Sequence, residues 1–198
     1  MVIKMKARHM DKFIDHLNYY FEQEDPGVYH RDGMKPHIDI LRYPPNDKYP
    51  FWKLVTMGSS DCKLSKKGTI GRFNEYMLFV DEQVRTTELN WYLDLLLMIA
   101  LFPFDTGESI SYRHSLEFPA DENEEMKGVV ILLPQVIKNT GILHCKLGFK
   151  DVVCLQVMPI TESEMKEKLM HGTKVLEDKF YPENGEYHFL AEQKRSFR

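Results

Sequence analysis

Two unbroken apolar stretches, GVVILLP at 128–134 and DVVCLQVMP at 151–159, constrain this chain more than any other feature. A strand with one wet face alternates apolar with polar residues, whereas a strand covered on both faces need not. Both stretches therefore read as interior strands, and the chain must supply packing layers for each side of its sheet.

Helices for those layers are legible. Met10, Phe13, Ile14, Leu17 and Phe21 recur at helical spacing, and Asp25-Pro26-Gly27 stops the segment. Thr87 is placed to cap a second helix running to about Phe102, where Pro103 is expected to end it. Thr161-Glu162-Ser163-Glu164 is a capping box, with Ile160 and Met165 as its hydrophobic staple. Met165, Leu169, Leu176 and Phe180 follow as the apolar stripe of one last helix.

Further strands show the period of two. PHIDIL at 36–41 puts Ile38 and Ile40 on one face and His37, Asp39 and Leu41 on the other. A Pro44-Pro45-Asn46-Asp47 turn leads to FWKLVTM at 51–57, an antiparallel partner, and NEYMLFVD at 74–81 is a third strand beyond the polar loop 58–71. ESISYRHSLEF at 108–118 alternates strictly, with Ile110, Tyr112, His114, Leu116 and Phe118 on one face. The sum is an α+β fold: a mixed, largely antiparallel β-sheet of about seven strands covered by about three helices. Residues 1–180 form a single domain and 181–198 a C-terminal extension.

Composition narrows the setting. At 198 residues and 43% apolar content, folding buries roughly 70% of the unfolded surface without staples. A net charge of −4 disfavours direct nucleic-acid binding. Cys62, Cys145 and Cys154 form no C-x-x-C, and their odd number reads as reduced cytosol. The apolar run 93–102 contains Asp94 and falls short of the ~20 residues that span a bilayer. A cytoplasmic protein with no membrane attachment is expected.

Several groups carry chemistry in principle. His37, Asp39 and His114 would suit zinc or non-haem iron if they converged. His114 lies on an apolar strand face, however, so a structural network in which Asp39 satisfies a buried ring is the favoured reading. Ser59, Ser60 and Cys62 lie in MGSSDCK, which lacks the G-x-S-x-G elbow, and a turn needs such residues anyway. Lys63 beside Cys62 is weak ground for a reactive thiol. GTIG at 68–71 is too short to cradle phosphate. His144, Cys145 and Cys154 fit no zinc spacing. Glu117, Asp121, Glu122, Glu124 and Glu125 form an uncompensated acidic run, either a solvated loop or a docking surface for a basic protein. No catalytic constellation, metal or cofactor emerges.

The order of motifs carries a resemblance. PHIDIL, the Pro-rich turn, WKLVTMGSSD, NEYMLFV, a Leu-rich helix ending LFPF, VVILLP and VCLQVMPITESEM follow one another in a series that resembles the suppressor of fused family over about residues 8–180. His37, Asp39, Leu54, Val55, Thr56, Gly58, Ser59, Asp61, Glu75, His114, Pro159, Ile160 and Glu164 stand at matching places. Gly58-Ser59-Ser60 replaces the family's Gly-Met-Ser, Arg113 replaces a glycine before His114, and VDEQVRTTELNW replaces Leu-Pro-x-x-Trp.

The resemblance implies that His37, Asp39, Thr56, Gly58, Ser59, Asp61, Glu75 and His114 form a structural or pocket polar cluster. It implies a non-catalytic protein-binding domain, with a lone domain of this length fitting the bacterial type that resembles immunity proteins or antitoxins. Such a protein would neutralise a partner toxin, often a nuclease, by direct binding, and its acidic run could mimic backbone phosphates. A module sequestering a transcription factor or other host protein is the alternative. A metal-dependent hydrolase using His37, Asp39 and His114 is a third, from a different class.

Overall fold

The protein is described from a computed structural model covering residues 7–62, 72–108, 110–118, 125–182 and 190–191. Eight strands form one mixed sheet: β1 (Gly27–Tyr29), β2 (Asp39–Tyr43), β3 (Phe51–Met57), β4 (Phe73–Asp81), β5 (Ser115–Glu117), β6 (Met126–Leu132), β7 (His144–Leu147) and β8 (Lys150–Thr161). Their spatial order is β1-β2-β3-β4-β8-β6-β5, and β7 pairs β8. Among the described residues only β4 and β8 run parallel, with Glu75 opposite Cys154. β6 pairs β8 from Gln156 to Thr161, and β7 pairs it from Lys150 to Val153.

Both long apolar runs lie inside the sheet, as the absence of alternation requires. Val152, Cys154, Met158 and Ile160 of β8 face one core, which takes Phe13, Leu17 and Phe21 from helix α1 (Ala7–Phe21). Val153, Leu155 and Val157 face the other core, built on α2 (Asn90–Thr106). Ile38 and Ile40 point toward α2, and Leu41 and Tyr43 toward α1.

Three expectations need correction. First, α2 carries on through Pro103 to Thr106 and closes at Gly107. Proline costs a helix one amide hydrogen bond, and eight buried residues along α2 outweigh that loss. Second, the final helix is two: α3 (Glu162–His171) and α4 (Lys174–Phe180), parted at Gly172, whose φ of 82° is one that side-chain-bearing residues rarely adopt. Leu169 leaves the stripe and is exposed, while Met165, Leu176 and Phe180 are buried. The capping box forms as read, with Glu164 N–H donating to Thr161 Oγ1 and Thr161 N–H to Glu164 Oε2.

Third, the strand expected over 108–118 is interrupted within residues 110–118. A turn closed by His114 N–H to Ser111 O, with Arg113 at φ 67°, interrupts the alternation and leaves β5 only three residues. The turn is held from outside the segment. Glu177 on α4 accepts from Tyr112 Oη (2.7 Å) and Arg113 Nη2 (2.8 Å). Beyond α4 the chain touches the fold again, where buried Ala191 donates its N–H to Phe79 O.

Candidate functional site

The turn after β3 is organised around one carboxylate. Glu75, on β4, is fully buried. Its Oε1 accepts from the N–H groups of Gly58 and Ser60, both at 2.9 Å. Its Oε2 accepts from Thr56 Oγ1 at 2.7 Å and Ser59 N–H at 3.2 Å. Successive backbone N–H groups make an anion-binding nest, and here the protein's own side chain fills it. Complete burial pushes the Glu75 pKa above the ordinary carboxylate value, and the donors of Ser60, Gly58 and Thr56 pull it back. Every donor points at the carboxylate, so the ionised form is the one this geometry serves.

A second buried charge closes the same turn. Lys150, the first residue of β8, donates to Asp61 Oδ1 at 2.7 Å and to Ser60 O at 3.1 Å. Gly58 brings the turn onto the backbone of His37: a Cβ there would lie 2.6 Å from His37 O. Its φ of 125° also demands glycine.

Beside the turn, His37 and Asp39 do meet, but their third member is His30. His30 Nδ1 lies 2.8 Å from Asp39 Oδ1, and His37 Nε2 lies 3.2 Å from Asp39 Oδ2. The rings stand 4.6 Å apart, half exposed, over a buried carboxylate. Asp39's hydrogen bond raises the His30 pKa above its usual value. The sequence signal for His30 was thin, a lone histidine just beyond a three-residue edge strand.

His114 does not join them. It precedes β5 and is exposed. β5 is five inter-strand steps from β2, on the order of 24 Å at the usual strand spacing. The triad of His37, Asp39 and His114 is therefore not assembled, because the segment carrying His114 pairs with β6 at the far edge of the sheet. The other expected members, Thr56, Gly58, Ser59, Asp61 and Glu75, are brought together around the turn.

The remaining candidates are placed as follows. Ser59 Oγ donates to Ala100 O, and both Ser59 and Ser60 are buried. Burial pushes the Cys62 thiol up, away from a reactive thiolate. Cys154 is raised well above its usual value by complete burial, and Cys145 to about 11. Glu117 and Glu125 are exposed; Asp121, Glu122 and Glu124 lie outside the described residues, as do Lys63 and GTIG at 68–71. Separately, a cleft of about 890 Å³ opens between α1 and the β2–β3 turn, walled by Tyr19, Tyr20, Tyr49 and Phe51. Among the described residues no helix is long and apolar enough to cross a membrane.

No curated protein sequence matches the chain. Solved structures do. A SUFU homologue from Neisseria gonorrhoeae shares 16% identity over 96% of this chain and 97% of its own, with a TM-score of 0.69. The Sufu–Fu complex matches at 13% identity, covering 96% of this chain and 91% of the matched chain, with a TM-score of 0.70. Drosophila Suppressor of Fused matches at 15% identity over 98% of this chain but 52% of its own, with a TM-score of 0.68. The profile of the Suppressor of fused protein (SUFU) family matches residues 34–190, and the chain belongs to that family.

Proposed function

We propose that this chain is a non-catalytic binding domain that neutralises a partner toxin by direct contact. Family membership carries the reading, since one matched relative is held in a complex with another protein, Fu. The polar groups around the β3–β4 turn support it: Glu75, Asp61 and Lys150 are buried and engaged in holding the fold. The immunity role over the regulatory one rests on the acidic residues between Glu117 and Glu125, whose charge suits a basic partner.

Neutralisation needs no chemistry from the inhibitor, only a complementary patch of roughly 800 Å² on each partner. Glu117, Asp121, Glu122, Glu124 and Glu125 would steer a basic toxin such as a nuclease. Affinity capture from the host at moderate salt, followed by expression of the captured protein with and without this chain, tests the reading. A one-to-one partner that arrests growth alone and is silenced by co-expression is expected. A harmless partner would move the assignment to a regulatory module that sequesters a host protein. Charge reversal at Asp121, Glu122, Glu124 and Glu125 should weaken capture and flatten its salt dependence; unchanged association would remove the acidic run from the interface.

A further inference from the structure

His30, His37 and Asp39 offer two imidazole nitrogens and one carboxylate oxygen that all lie within 4.8 Å of one another. From this geometry we propose that the three residues bind a divalent first-row transition ion, zinc being the probe of choice. Two imidazoles and a carboxylate are a donor set suited to such ions.

Separation supports a shared ion. Metal–ligand bonds near 2.0–2.2 Å place neighbouring donors roughly 3–3.5 Å apart around a tetrahedral centre. Asp39 Oδ1 lies 2.8 Å from His30 Nδ1, and its Oδ2 lies 3.2 Å from His37 Nε2. Closing the remaining gap asks the rings to turn by about an ångström, and both are half exposed on the solvent side. Asp39 is the anchored member, buried in β2 and opposite Met57 in the ladder with β3.

The far nitrogen of His30 is placed as an outer partner would require. Nε2 lies 3.3 Å from Asp32 Oδ1 while Nδ1 faces Asp39. An ion at Nδ1 leaves the Nε2–H to donate to Asp32. A ligating histidine whose second nitrogen donates to a carboxylate is the usual outer arrangement at metal centres. His30 directly follows β1 and His37 stands just before β2, so the ion would pin both ends of their connection. Positions left open face water, which completes the coordination in the isolated protein.

The proposal is independent of what partner the domain binds, and its test uses the metal alone. Untagged full-length protein, stripped with a chelator, is titrated with zinc sulfate by calorimetry and with cobalt(II) by visible absorption. One-to-one binding is expected, together with a rise in melting temperature. His30→Gln and Asp32→Ala should each weaken it by about tenfold or more, His30→Gln with His37→Gln should abolish it, and His144→Gln should leave it unchanged. Absence of zinc binding to the parent protein, or equal binding by the double variant, would overturn the site.

Discussion

Lys150 and Asp61 form an ion pair of 2.7 Å between the first residue of β8 and the turn after β3, both side chains closed off from water. Burying two charges gains little over apolar packing, yet removing one of them strands the other. Asp61→Asn is therefore expected to cost about 3 kcal/mol. Asp61→Leu combined with Lys150→Met should cost clearly less than the sum of the single changes. Urea unfolding of the four proteins completes the cycle; additive losses would mean the pair is not coupled.

Glu75→Gln probes the filled nest. Only one oxygen remains, and the amide nitrogen should settle on the Thr56 side, where the hydroxyl can turn to accept. Ser59 N–H then loses its acceptor, at about 2 kcal/mol. Hydrogen exchange should speed up at Ser59 before Gly58 and Ser60. Uniform acceleration at all three amides would show that the nest opens as a unit.

Gly58→Ala should be costly for two reasons that act together. The φ of 125° strains any residue with a side chain, and the new methyl would press on His37 O. A loss of about 3 kcal/mol follows, with chemical-shift changes at His37 and His30 in the folded fraction. A variant as stable as the parent would contradict this placement of the turn.

Lys53 supplies the pH dependence. It is fully buried, donates to Pro44 O and Tyr49 O, and burial lowers its pKa to about 8. The unfolded chain holds that proton up to about 10.4. Between those values the unfolded state binds more protons, so stability rises with pH, and the penalty is complete below the folded value. Relative to Lys53→Met, the parent should gain about 2 kcal/mol from pH 7 to pH 9.5. A pH-independent difference would place the ammonium in contact with water.

Much of the sheet could be read from local pattern. β2, β3, β4, β6 and β8 announce themselves because burial on one or both faces writes a period into the side chains. The polar residues around Glu75 were legible as a group through family resemblance, but their bonding was not. Nothing local says that three amides converge on a carboxylate 15 to 17 residues away.

The misses share a cause. His114 sits in a perfect alternation, yet Glu177, 63 residues later, takes hold of Tyr112 and Arg113 and bends the chain out of register. His30 meets Asp39 only through the pairing of Val28 with Leu41. β1 and β7, three and four residues long, exist because longer strands offered them an edge.

The late-made strand β8 is paired on both sides, by β4 along one edge and by β6 and β7 along the other. On the ribosome, roughly the first three-quarters of the chain must therefore wait with two adhesive edges bare. Stalled or clipped nascent chains would present those edges to each other and to proteases. The sheet can close on both of those edges only once residue 161 has emerged.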